Sequence, residues 1–187
     1  EKLRLMAEAC LGQGSARSCK QMVVFVTRQD KWKQHAEAVL EANIAEIERN
    51  SPQERKAHRI ELQKKYYAKL MPLSYKRCFG LLGLLRKVFA QTVGLFRPIP
   101  RQVTEGDMRT VVHKSCALAV QTFMLAMSEL GYDTCPLEGF DSLRVKHVLG
   151  LPHDCGINMV ITCGVRTDGG VRGERFRLPL TEFYHRV

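Results

Sequence analysis

The segment from Thr104 to Leu130 constrains the fold more than any other. Thr104-Glu-Gly-Asp107 supplies a cap at its start, so a helix begins there. Met108, Val111, Val112, Cys116, Ala119, Val120, Phe123, Met124, Met127 and Leu130 follow at helical spacing and cover more than half of its circumference. A helix apolar on so many sides is expected at the centre of the molecule, buried on several sides. Gly131 falls where a left-handed C′ residue ends such a helix.

The remaining segments are shorter and must arrange themselves around it. A helix ending around Gly12 precedes Met22-Val-Val-Phe-Val26, a β-branched run of the kind found in the middle of a sheet. From Asp30 the period changes to 3.6, with Trp32, Ala36, Val39, Leu40, Ile44 and Ile47 on one stripe. Ser51-Pro-Gln-Glu54 reads as a capping box with proline at the first helical position. The helix it opens, up to about Leu70, is rich in Lys and Arg and reads as a solvated surface helix that Met71-Pro72 interrupts. Residues 75–93 read as another helix, closed by Arg97-Pro-Ile-Pro100. Ser142 to Leu149 is a short helix with Gly150 and Pro152 as its stop, and Ile157 to Gly164 is a second strand. The tail from Arg166 is too short for its own core, so it must lie along another surface.

The 187 residues, 45% of them hydrophobic, suffice for a packed core and exclude a disordered chain. The net charge of +10 invites a polyanion or a phosphorylated ligand without choosing between them. Phe79 to Phe96 is the longest nearly apolar stretch, and Arg86-Lys87 near its middle argues against a membrane span. Seven cysteines, an odd number and mostly inside apolar patterns, point to a reduced, cytoplasmic compartment.

Phosphate-binding P-loop, paired CxxC, HExxH, Gly-x-Ser-x-Gly and GxGxxG signatures are all missing. Cys155 and Cys163 with His147 or His153 match no zinc spacing and read as core thiols beside ordinary histidines. His58 and His113 read as surface or packing residues. The informative segment is Leu130-Gly-Tyr-Asp-Thr-Cys-Pro-Leu-Glu-Gly-Phe-Asp141. It turns at Gly131, fixes φ at Pro136, and sets Glu138-Gly139 where no Cβ blocks approach to the backbone. An exposed N–H beside such a glycine can donate to a planar ligand; a plain turn between strand and helix is the competing reading.

The same string, followed by Val148-Leu-Gly-Leu-Pro152, Met159-Val-Ile-Thr-Cys-Gly164 and Arg175-Phe-Arg177-Leu-Pro179, resembles the C-terminal half of the FMN-dependent nitroreductase family. Ala9-Cys-Leu-Gly-Gln13 and Met22-Val-Val-Phe25 resemble the helix and strand before the family's variable middle. The resemblance covers about 1–30 and 104–187. It implies an α+β fold, with a central, mostly antiparallel sheet flanked by helices, and a homodimer with C-terminal arm exchange. It implies a single domain over 1–187 with its N-terminal part missing and a variable helical region at about 31–103.

By resemblance, Pro136, Leu137, Glu138 and Gly139 lie against the isoalloxazine, with the backbone N–H groups of Glu138 and Gly139 directed at its N5/O4 edge. Arg175 and Arg177 take positions that hold the FMN phosphate, a task suited to the forked guanidinium. Gln13 falls near a family position whose amide reaches the flavin's polar edge. No side-chain acid or base and no metal is called for. The activity implied is an NAD(P)H-dependent oxidoreductase that reduces nitroaromatics, quinones or similar small-molecule acceptors in two half-reactions, without nucleic acid or membrane as a partner. The family's Arg-x-Ser and Ser-x-Asn-x-Gln-Pro-Trp motifs are not found, and with Glu at position 1 the expectation is that they precede this chain. Two other readings stay open: a basic helical nucleic-acid-binding module, and a flavin-binding relative with a different reaction such as dehalogenation or oxidative ring breakdown.

Overall fold

A computed structural model of the chain describes residues 1–171, 173–174 and 176–186. In chain order the elements are α1 (Lys2–Ala9), α2 (Gly14–Ser18), β1 (Gln21–Thr27), α3 (Trp32–Asn50), α4 (Gln53–Lys65), α5 (Met71–Tyr75), α6 (Leu81–Val93), α7 (Glu105–Glu129), β2 (Asp133–Leu137), α8 (Ser142–Leu149) and β3 (Gly156–Gly164). Among the described residues three strands form one antiparallel sheet in the order β1-β3-β2, so the last of them in sequence is the middle one in space.

β3 is covered on both faces. Val160 faces α1 and α8 in a core with Met6, Ala9, Cys10, Leu137 and Val145, while Ile161 faces α7 with Val120 and Phe123; neither Val160 nor Ile161 has any exposure. Phe25 of β1 meets Phe123 of α7 edge to face, with ring centroids 5.6 Å apart. β2 is a strand where the sequence suggested a turn. Proline is accepted at Pro136 because β2 is an edge strand, with β3 on one side only.

A bulge re-aims one side chain of β3. Phe25 pairs with Met159 but Val26 pairs with Ile157, leaving Asn158 as the extra residue. Asn158 turns to α7, where its Nδ2 donates to the carbonyl of His113 at 3.0 Å and lies 3.2 Å from His113 Nδ1. Both amide hydrogens are thus used on His113, which makes Nδ1 the acceptor of a neutral ring. Asn158 Oδ1 and His113 Nε2 are buried without a partner among the described residues. Gly156 and Thr27 close this pocket, since a Cβ at 156 would run into the Thr27 hydroxyl and the His113 ring.

α7 opens on the capping box that its first residues supply. Thr104 Oγ1 accepts from Asp107 N at 3.0 Å and Asp107 Oδ2 accepts from Thr104 N at 3.0 Å. Its surroundings differ from the expectation of burial on several sides. Within this chain Val120 alone of its 25 residues is buried, and Leu118 and Leu125 are 72% and 62% exposed. A three-stranded sheet covers only one face of a helix this long. By length and composition α7 is also apolar enough to cross a membrane, unlike the 79–96 stretch, yet one of its faces packs on all three strands.

The helical region between β1 and α7 departs from the sequence reading at its joints. Ser51 does not cap α4: Pro52 is its N-cap, and the Ser51 hydroxyl accepts from Arg59 Nη1 at 2.9 Å instead. α4 leads through a π-helical turn at Tyr66–Leu70 into α5, where Pro72 sits in the first turn. α6 starts at Leu81, later than expected, because Phe79 and Gly80 both have left-handed φ. α3 and α4 pack together through Asn43, whose Nδ2 donates to Gln63 Oε1 at 3.2 Å and to Tyr67 Oη at 3.4 Å. Trp32 of α3 and Tyr75 of α5 stack with ring centroids 6.2 Å apart.

Burial, with a smaller contribution from Arg109, pushes the His113 pKa below its ordinary value. In the unfolded chain this histidine titrates near 6.5, so between about 6.5 and the lower folded value the unfolded state binds more protons. Its contribution to stability is present in full above pH 6.5 and is lost as pH falls towards the folded pKa. Urea unfolding between pH 7.5 and 5.5 is expected to show a falling midpoint that flattens in His113→Gln; a wild-type midpoint constant over that range counts against this account.

Candidate functional site

The residues singled out around Gly139 meet the first turn of the molecule. α1 ends at Ala9, and Leu11 and Gly12 both take left-handed φ, which reverses the chain and throws Gln13 back over the helix end. Gln13 begins α2 in extended conformation, and its side chain reaches across to the segment after β2. Nε2 donates to the carbonyl of Gly139 at 2.7 Å and to the carbonyl of Cys10 at 3.1 Å. A primary amide has two N–H donors, so both are committed and only Oε1 is left for a ligand.

A second tie runs beside the first. Asp141 N donates to the carbonyl of Ala9 at 2.8 Å. The Asp141 carboxylate then caps α8, with Oδ1 accepting from Leu143 N at 3.0 Å and Arg144 N at 3.1 Å. The stretch 138–141 is therefore held at one end by the ladder between Leu137 and Val160 and at the other by α1 and α8.

Within this frame the four residues of the turn differ. Leu137 is 3% exposed and belongs to the core, so its side chain is unavailable to a ligand. Pro136, Glu138 and Gly139 are exposed. Gly139 does not have the positive φ that would require glycine. A Cβ there would meet only Gln13 Nε2 at 3.5 Å and Leu11 Cδ1 at 4.0 Å, ordinary contacts. Nothing inside the chain demands a missing side chain at this exposed position, and a flat group laid against the backbone from outside would.

Arg177 is exposed and donates from Nη1 to the carbonyl of its neighbour Phe176 at 2.9 Å. No hydrogen bond among the described residues joins it to the 138–139 turn. Arg175 lies outside the described residues. The structure thus brings Gln13 to Gly139 across 126 positions of sequence.

Other chemistry is sparse. No group of three metal-ligating side chains occurs among the described residues. Burial pushes the thiols of Cys10, Cys116 and Cys163 up, which keeps them protonated and unreactive. An open cleft of about 630 Å³ lies at the far end of β2, among Ser128, Gly131, Tyr132, Asp133, Arg166 and Asp168. A groove of about 430 Å³ runs between α3 and the π-turn, walled by Trp32, Ala36, Leu40, Tyr67 and Pro72. Neither contains residues 136–139. The double tie to α1 was not foreseen from the sequence; the one signal for it is Leu-Gly-Gln directly after a helix, which marks a reversal that returns the glutamine.

Comparison with known proteins identifies the family. The model of the nitroreductase family matches residues 13–165. MhqN of Bacillus subtilis (strain 168), which carries the name of an NAD(P)H nitroreductase, is 36% identical over 70 residues, 37% of this chain and 34% of that protein. The chain spans about a third of the length of the curated relatives it matches. Among solved structures, ydfN of Bacillus subtilis, a nitroreductase by name, gives a TM-score of 0.65 at 19% identity, over 100% of this chain and 72% of that one. A nitroreductase by name from Exiguobacterium sibiricum 255-15, solved in complex with FMN, gives 0.57 at 15% identity, over 99% and 71%. At such identities the likeness is one of fold. With four-fifths of its length matched by one family model and its helices and sheet arranged as in these structures, the chain belongs to the nitroreductase family.

Proposed function

We propose that this chain forms a single nitroreductase-like domain, with a variable helical region at about 31–103, that binds FMN and serves as an NAD(P)H-dependent oxidoreductase for nitroaromatics, quinones or similar small acceptors. The observation that carries this reading is Gly139: exposed, free of any backbone need for glycine, and set on a turn pinned from two sides. The nitroreductase and FMN names among the relatives support it.

FMN, when bound, supplies a ring that takes up hydride from a nicotinamide and passes electrons to an acceptor. The chain's share is binding and orientation. Glu138 and Gly139 offer backbone against the ring edge, Pro136 stiffens the approach, and Leu137 anchors the turn in the core beneath. Arg177, exposed and bonded only to a neighbouring carbonyl among the described residues, keeps its charge available for the phosphate, with Arg175 as its companion.

The exposed apolar residues of α7 support a homodimer in which a second copy covers the face that the sheet leaves open. A reduced, cytoplasmic setting accords with seven cysteines free of disulfides, three of them buried.

Two expectations test the reading. Gly139→Ala should leave the thermal midpoint of the apoprotein unchanged or slightly raised, since alanine at a compatible φ restricts the unfolded chain by about 0.4–1 kcal/mol. It should nonetheless weaken FMN binding by roughly tenfold or more, about 1.4 kcal/mol. Equal FMN affinity in titrations of flavin fluorescence would remove the turn from the site. Arg177→Ala should weaken FMN retention by about 1.5–3 kcal/mol, the size of a hydrogen bond to a charged group, with unchanged circular dichroism. A protein that stays colourless with FMN and oxidises no NAD(P)H defeats the proposal as a whole.

A further inference from the structure

We infer that Gln13 is a positioning residue for the flavin turn: its side-chain amide fixes the carbonyl of Gly139, and through it the direction of the backbone that faces the ring. The inference rests on the FMN reading above and assigns Gln13 a role through Gly139.

Glycine has the least restricted ψ of any residue, so an exposed glycine leaves the peptide planes on either side of it free to rotate. Here the plane after Gly139 is not free, because its carbonyl accepts from Gln13 Nε2 at 2.7 Å. The next N–H but one, that of Asp141, is held by Ala9 at 2.8 Å. The plane before Gly139 joins it to Glu138, one residue beyond Leu137, which is buried and paired with Val160. With the stretch anchored on both sides, the Glu138–Gly139 N–H groups keep one direction before any ligand arrives. Donors fixed in advance cost no ordering when a charge or a ring edge meets them.

Gln13 itself is anchored by its second amide hydrogen on the carbonyl of Cys10, at 3.1 Å, and by the left-handed pair Leu11-Gly12 beneath it. With both hydrogens spent inside the protein, the side chain has no donor to offer a flavin. Only Oε1 is left to meet a flavin as an acceptor, and the double-mutant cycle below separates that contact from action through Gly139.

The test uses Gln13→Glu, which keeps the shape and replaces the donor by an acceptor, with Gln13→Met as a second variant that keeps the length and carries no charge. Hydrogen exchange on the full chain without FMN reads the tie itself. Both variants should unfold at a midpoint close to wild type yet exchange the Asp141 amide, which is bonded to the Ala9 carbonyl, at least tenfold faster, whereas unchanged exchange there overturns the tie. FMN titration reads its consequence: both variants should bind roughly tenfold more weakly.

A double-mutant cycle with Gly139→Ala separates positioning from direct contact. Non-additive losses of FMN affinity support action through Gly139, and additive losses overturn it. If wild type binds no FMN, the functional reading fails and the role of Gln13 towards the flavin fails with it, while the exchange result still decides whether the tie exists. Unchanged FMN affinity beside a loosened Asp141 amide would leave the tie standing and overturn its purpose.

Discussion

Everything in this fold depends on β3 being buried on both faces and paired on both edges. Val160 and Ile161 are adjacent in sequence and point to opposite sides, one into the core with α1 and α8, the other towards α7. A strand in that position can carry no charge and tolerates no shift of register, since a slip by one residue exchanges the two faces. The bulge at Asn158 is the one concession. It lets Ile157 share the α1 side with Val160 and turns a polar side chain to His113, where the helix can satisfy part of it.

The candidate site is a by-product of the same layering. α1 and α8 cover one face of β3, and the chain leaves the edge strand β2 directly into α8. The segment between them, 138–141, crosses the end of α1 on its way. That crossing is what lets Ala9 and Gln13 bond to it. Rigidity at the site then comes from the core below, through Leu137, and from the helix termini beside it, and little is asked of the exposed residues themselves.

The sequence made much of this legible. The β-branched runs at 22–26 and 157–164, the helix from Thr104 and the Glu-Gly string were all readable from spacing and composition. β2 was not, because Asp-Thr-Cys-Pro-Leu has a proline and no alternation, and only its pairing with β3 makes it a strand. The cap at Ser51 failed for a similar reason. Its hydroxyl had two possible partners, and the tertiary one, Arg59, won over the local one. Nor could burial of α7 be inferred from its apolar count, since amphipathic patterns report which sides avoid water and are silent on whether the same chain covers them. The bonds of Gln13 to Gly139 span 126 positions and leave no periodic trace.

The order of the strands carries a consequence for synthesis. Among the described residues β1 pairs in the sheet with β3 alone, which follows it some 130 residues later in the sequence. Until then an apolar strand waits without a ladder, while the α3–α4 hairpin can close from local contacts alone. The sheet and both cores contain residues of β3 and so cannot be complete before it is made. A chain halted before residue 156 would present β1 unpaired, an invitation to the edge-to-edge association that finished antiparallel sheets avoid.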